Sequence, residues 1–241
     1  MLTDLEPIQI LQGSFSLIWV IFAIIIGLRV IWKAITLKRK ELITVGLTWI
    51  LIASAWWGVA LQFITYGFFN YQLTAFQYLL VANVFIPLGL FCWSYSYCEI
   101  INPKLKKNFF LVILGFIVIW ELFLWIALFI NTALVGTIEG IFDSKHSTIA
   151  LLFVFSAIII FLITGTIFSV KSMKVDQLDI KWKGRFLLLA WILFTIAALI
   201  DAALDLIATL ILARIILLIS SVLFYFGFFL PEFLKQRIIK K

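Results

Sequence analysis

Four ionisable side chains stand inside long apolar runs: Glu121, Asp201, Asp205 and Arg214. A charge at mid-bilayer costs at least ~2.5–3.5 kcal/mol on insertion scales, so each needs a partner, water or a ligand. Asp201 and Asp205 are one helical turn apart and share a face. Arg214 lies about five residues into the next apolar run, and at about 1.5 Å per residue all three groups reach similar depth if a tight turn makes the two runs antiparallel. This spacing predicts a structural ion pair between Arg214 and Asp201, the deeper acid, with Asp205 left as a surplus carboxylate for a ligand. The plainer alternative is a pair that only pins two helices together.

Glu121 has the apolar helical neighbours Ile117, Val118, Leu124 and Trp125, at a depth of roughly 13 Å. A lone carboxylate is costly there, so it is expected either to be a neutral acid or to meet a cation. It is read as a ligand contact or a proton-linked switch; a backbone-bonded acid or a hidden pair with Arg214 are the alternatives. Asn83, Trp56, Trp57 and Gln62 fall in the same half of their runs and complete a candidate polar and aromatic layer for a small ligand. Pro87 follows Asn83 by one turn and removes a backbone donor, which predicts a helix kink.

Other chemistry is absent from the pattern. No paired catalytic groups face one compartment, so no enzyme and no cofactor is expected. The single His146 sits in a loop and reads as solvated. No Cys/His cluster suggests a metal. Cys92 and Cys98 fall in one apolar run and are better as small packing residues than as a disulfide, although lipid attachment at Cys98 is conceivable.

The elements that must position these residues follow from composition. Of 241 residues, 65% are hydrophobic and 13% charged, against roughly 25% charged in soluble domains. The solvent must be lipid. Barrel strands would alternate, whereas the runs here are continuous and near the ~20 residues a helix needs to cross about 30 Å. The expectation is an all-α polytopic membrane protein, a single domain of seven transmembrane helices. The spans are placed at about 10–32, 42–64, 75–98, 108–130, 148–170, 186–206 and 209–230.

Charge orients the bundle. Seventeen of the 19 Lys and Arg residues flank the same ends of the spans, after spans one, three, five and seven; only Lys145 and Arg214 fall on the other side. The positive-inside rule predicts an N-terminus outside and a C-terminus in the cytoplasm, in the cell membrane. The net charge of +7 is therefore a topology signal and not a nucleic-acid footprint. Asp4 and Glu6 precede the first run, which argues against a cleaved signal peptide. The external loop Asn131–Ser147 is expected to carry at most a short helix, and Lys171–Arg185 is the longest internal loop. Leu47–Leu51 (LTWIL) and Leu189–Leu193 (LAWIL) form a faint internal echo, as a duplicated transporter would show.

Span seven lacks the lysine that a retinal Schiff base needs, and it lacks an asparagine–proline pair. The inner end of span three reads YSYCEII, without an acid–arginine–tyrosine motif. Two stretches, Ala53–Gly67 (ASAWWGVALQFITYG) and Asn83–Tyr97 (NVFIPLGLFCWSYSY), resemble the seven-helix sensor region of prokaryotic histidine kinases and stand-alone archaeal seven-helix membrane proteins. The resemblance covers spans two and three and implies a sensory role. The expected function is a receptor-like membrane protein binding a small or lipid-like ligand in an outer-half pocket and signalling through a cytoplasmic partner. The alternative is a small transporter coupled to a proton or cation through Glu121 and Asp201/Asp205.

Overall fold

Lipid supplies no hydrogen bonds, so each apolar run must close its own backbone as a helix. The computed structural model describes residues 5–101, 103–203 and 207–239. Within these, α1 covers Pro7–Thr36, and the second span is α2 (Lys40–Ile52), a 3-10 turn (Ala53–Trp56) and α3 (Trp57–Phe69). The third is α4 (Ala75–Asn83) and α5 (Ile86–Ile101). Then come α6 (Lys106–Ile130), strands β1 (Gly136–Glu139) and β2 (Asp143–His146), α7 (Thr148–Met173), α8 (Leu178–Ala203), α9 (Ile207–Phe228) and the short α10 (Glu232–Ile239). Seven segments are long and apolar enough to cross a membrane. This makes the chain a multi-pass membrane protein.

Local sequence sets the ends. Glu6 and Gln9 form a capping box at the start of α1, with Pro7 in its first turn, and Thr74 and Gln77 form another at α4. Asn70 ends α3 in the left-handed region, φ 52°. The third span breaks at Val84 and Phe85, just before Pro87, whose missing N–H leaves the Asn83 carbonyl without its i+4 donor. The second span tightens at Ala53–Trp56, a mid-helix irregularity of the kind that often marks a hinge.

Two loop expectations are corrected. The 171–185 loop shrinks to four residues because α7 runs to Met173 and α8 begins at Leu178, eight residues earlier than expected. Charged residues at a helix end need not leave the helix; Lys183 pairs with Asp179 one turn away at 3.3 Å. The segment after α6 holds a short 3-10 helix at Thr132–Leu134, and beyond the expected short helix it also forms a β-hairpin, with Gly136 opposite His146 and Glu139 opposite Asp143. Gly140 turns it at φ 64°, and Tyr78 Oη donates to the Phe142 carbonyl at 3.0 Å. The Phe142 ring is buried against Phe63 and Tyr66. The hairpin is thus fastened onto the ends of the second and third spans.

Tryptophans fill the middle of the bundle. Trp19, Trp49, Trp93 and Trp191 are all fully buried. Trp49 stacks on Phe224 at 3.8 Å, meets Trp19 at 6.0 Å and meets Trp191 at 6.4 Å; Trp191 meets Trp93 at 4.8 Å. The two tryptophans of the LTWIL/LAWIL echo therefore touch in one aromatic layer. Small residues let helices close around it: a Cβ on Gly165 would sit 2.6 Å from Trp191 ring atoms, and one on Gly46 would sit 2.6 Å from the Gly27 carbonyl oxygen. Helix α6 is peripheral. Ile113, Ile117, Trp120 and Leu124 face the bundle, while Val112 and Phe129 are 71% and 74% exposed, the surface that lipid covers.

Candidate ligand-binding site

The packing of α9 against α8 brings Arg214 beside Asp201. The Arg214 side chain is 3% exposed and Asp201 20%. Arg214 Nη1 donates to Asp201 Oδ1. Arg214 Nε donates to Ser16 Oγ at 3.0 Å, and Ser16 donates to the Gln12 carbonyl at 2.8 Å. Asp201 Oδ2 accepts from Trp56 Nε1 at 2.7 Å. The guanidinium also lies over the Trp56 ring at 5.7 Å. One arginine thereby ties together the first, second, sixth and seventh spans, and the 3-10 turn is what presents Trp56 to the pair.

This network forms one wall of a cavity of about 420 Å³ beneath the hairpin. Its mouth is polar: Asp143, Ser144, Lys145 and His146 of β2, with Tyr78, Asp201 and Arg214. Its body is apolar: Ile52, Val59, Ile86, Leu151, Val154 and Ile158, with Phe161 and Phe194 at the floor. From Leu151 to Phe161 along α7 it descends about 15 Å at 1.5 Å per residue. Both floor rings touch Trp191, at 6.0 and 6.3 Å, so the cavity rests directly on the tryptophan layer.

The sequence candidates divide. Trp56, Asp201 and Arg214 line the cavity. Asp205 lies outside the described residues. Glu121, Asn83, Gln62 and Trp57 do not line it. Glu121 sits on peripheral α6 and accepts from Trp125 Nε1 of its own helix at 3.1 Å. Asn83 is buried and donates its side-chain amide to the Leu79 carbonyl of its own helix at 2.8 Å. Gln62 is buried and accepts from the Leu73 N–H at 2.8 Å, holding the turn between spans two and three. Trp57 turns the other way from Trp56 and packs on Phe85 at 5.2 Å. Equal depth in a span does not mean equal azimuth, and azimuth decides what a side chain meets.

His146 is the opposite case. It is not a solvated loop residue but a half-buried member of the cavity mouth. Burial pushes its imidazole below the ordinary histidine range, and the nearby Asp201 carboxylate partly offsets this. The hairpin that carries it was missed, although the β-branched pair Thr137 and Ile138 ahead of Gly140 is a hairpin signal. Cys98 is fully buried, which removes the surface access that lipid attachment requires.

No protein-family model, no curated protein and no solved structure matches the chain. Function therefore rests on the site. Arg214 and Lys145 face Asp201 and Asp143 around the mouth, so the described lining has no excess of one charge. Among the described residues no cluster of His, Cys, Asp or Glu could hold a metal ion. The arrangement suits an amphiphile: a hydrogen-bonding mouth above an apolar shaft.

Proposed function

We propose that the chain is a receptor-like membrane protein that binds a small or lipid-like amphiphile in the cavity beneath the hairpin and signals through a cytoplasmic partner. The observation that carries this reading is the cavity of about 420 Å³, polar at one end, apolar at the other, floored by rings that touch the central tryptophan layer. A pocket of this size lies within the usual range for small ligands. The skewed basic residues support an N-terminus outside and the C-terminus in the cytoplasm, which puts the hairpin on the outer face. A ligand that shifts Phe161 or Phe194 would press on Trp191, and through it on Trp49 and Trp93. A packed layer of this kind moves between discrete arrangements rather than yielding continuously.

The same layer counts against a transporter. A proton or cation would need a polar route past Trp19, Trp49, Trp93 and Trp191, all fully buried. Of the acids on which that reading rests, Glu121 lies on peripheral α6 away from the cavity, and Asp201 lines the cavity but is engaged by Arg214 and Trp56.

The test is binding to purified protein in detergent, read by native mass spectrometry or thermal shift against single-chain amphiphiles with neutral, zwitterionic or charged heads. Ala198 lines the cavity. Ala198→Trp should fill it and abolish the adduct, while the fold persists by circular dichroism. Unchanged binding in a folded Ala198→Trp protein would place the ligand elsewhere and end this reading.

A further inference from the structure

At the other end of α6 from the hairpin, a second groove of about 500 Å³ opens on the bundle surface. Its head is Pro103 with Lys104, Lys106 and Lys107, and its lane is Phe110, Leu111 and Leu114. Lys107, Phe110, Leu111 and Leu114 follow the i, i+3, i+4, i+7 rule, so charge and lane lie on one stripe of the helix. Leu111 is 61% exposed and Leu114 46%, so the lane is open to the bilayer. Phe110 forms its stiff back wall, edge-on to Phe91 at 5.2 Å and Tyr95 at 6.3 Å.

The lysines are not equivalent. Lys106 is committed: it pairs with Glu99 and lies 5.0 Å over the Tyr95 ring. Lys104 and Lys107 are exposed and make no ion pair among the described residues. Lys171, outside the groove's lining, adds a further charge to this end of the bundle, its Nζ donating to the Ile101 carbonyl at 3.4 Å, three residues before Lys104. Glu99 cancels one charge and leaves three. An acyl chain fits the lane and a negative headgroup fits the lysines. A zwitterionic headgroup would bring its own cation toward three others, and a free anion would leave the lane empty.

We propose that this groove is a binding site for one anionic glycerophospholipid, with its phosphate between Lys104 and Lys107 and one acyl chain along Leu111 and Leu114. The site is separate from the cavity and stands whether or not that cavity binds a ligand. Basic juxtamembrane pockets draw acidic lipid with roughly a fewfold gain in affinity per lysine, so the two exposed lysines together should contribute on the order of tenfold or more.

The experiment is native mass spectrometry of the delipidated full chain, titrated separately with phosphatidylglycerol, phosphatidylcholine of the same chains, and inorganic phosphate. The expected result is a single phosphatidylglycerol adduct formed at least about tenfold more tightly than the phosphatidylcholine adduct, with no phosphate adduct at the same concentrations. Lys104→Ala with Lys107→Ala should remove that preference, whereas Lys235→Ala with Arg237→Ala, an equal charge change elsewhere at this end, should keep it. Both pairs are exposed, so folding should survive and is checked by circular dichroism. Equal affinity for the two lipids, equal loss in both double variants, or a phosphate adduct as tight as the lipid would each overturn the site.

Discussion

Replacing Arg214 by leucine removes one side of a buried ion pair. Breaking such a pair typically costs ~3–5 kcal/mol, because the remaining charge is uncompensated. The geometry selects the lower end for Arg214→Leu. Asp201 keeps its 2.7 Å bond from Trp56 Nε1 and, at 20% exposure, borders the cavity, where water can reach it. The reverse change should cost more. Asp201→Leu strands a guanidinium that is 3% exposed, with the Ser16 hydroxyl as its remaining described acceptor, and arginine cannot discharge itself by losing a proton. We therefore expect about 3 kcal/mol for Arg214→Leu and nearer about 5 for Asp201→Leu. The double variant replaces the pair by apolar groups, a change that is often neutral. It should be more stable than Asp201→Leu alone, which requires a coupling larger than the about 3 kcal/mol lost in Arg214→Leu. Thermal unfolding in a mild detergent reads this, at about 2–4 °C per kcal/mol for a chain of this size. Strictly additive losses would refute the pairing, as would a drop below about 2 °C for Arg214→Leu. A stronger coupling of Arg214 to Asp205 than to Asp201 would reverse the assignment of partners.

Gly46→Ala should destabilise by about 1–3 kcal/mol, since its Cβ would stand 2.6 Å from a backbone oxygen that cannot rotate away. Gly115→Ala has the opposite sign: nothing lies within 4 Å of its Cβ, so helix propensity alone should add up to about 1 kcal/mol. Glu121→Gln should change stability by less than about 0.5 kcal/mol and leave ligand binding intact, because the amide oxygen can still accept from Trp125 and the cavity lies elsewhere; unfolding in detergent would show instead a charged, structurally paired carboxylate. His146 has its protonation suppressed by burial. The unfolded chain then takes up this proton first as pH falls, so the stability due to neutral His146 is complete above about pH 6.5 and is lost as pH drops from there through the folded-state value. His146→Gln should flatten that part of the stability–pH curve, and an unchanged curve would remove His146 as its cause.

The number of spans and the Asp201–Arg214 partnership were legible because each rests on one-dimensional information. Apolar run length measures depth, and a charge in lipid forces a partner at its own depth. The loops were less legible. Charged residues from Lys171 to Arg185 read as a loop because polarity in one dimension looks the same on a solvated helix end as on irregular chain, yet Lys183 and Asp179 satisfy each other on a helix. The hairpin was hidden because Thr137 and Ile138 make too short a run to outweigh their neighbours, and its stability comes from distant partners: the Tyr78 hydroxyl on Phe142 and the rings of Phe63 and Tyr66.

By itself, the sequence determined what hydropathy and charge can count: a lipid solvent, seven helices, a basic end and a buried arginine that needs an acid. Tertiary structure alone decided which of the groups at equal depth face one another. Trp56 and Trp57 are adjacent in the chain, yet one binds Asp201 at the cavity wall and the other packs on Phe85. Glu121, at mid-depth, lies on a helix turned toward lipid, while His146, on strand β2, lines the cavity mouth. The reason is physical. In a bilayer nearly every face of a helix is apolar, so the pattern that would reveal azimuth in a soluble protein is missing. Rotation about each helix axis is then set by the packing of Gly46 against Gly27, Gly165 against Trp191 and the tryptophans against one another, contacts between residues far apart in the chain.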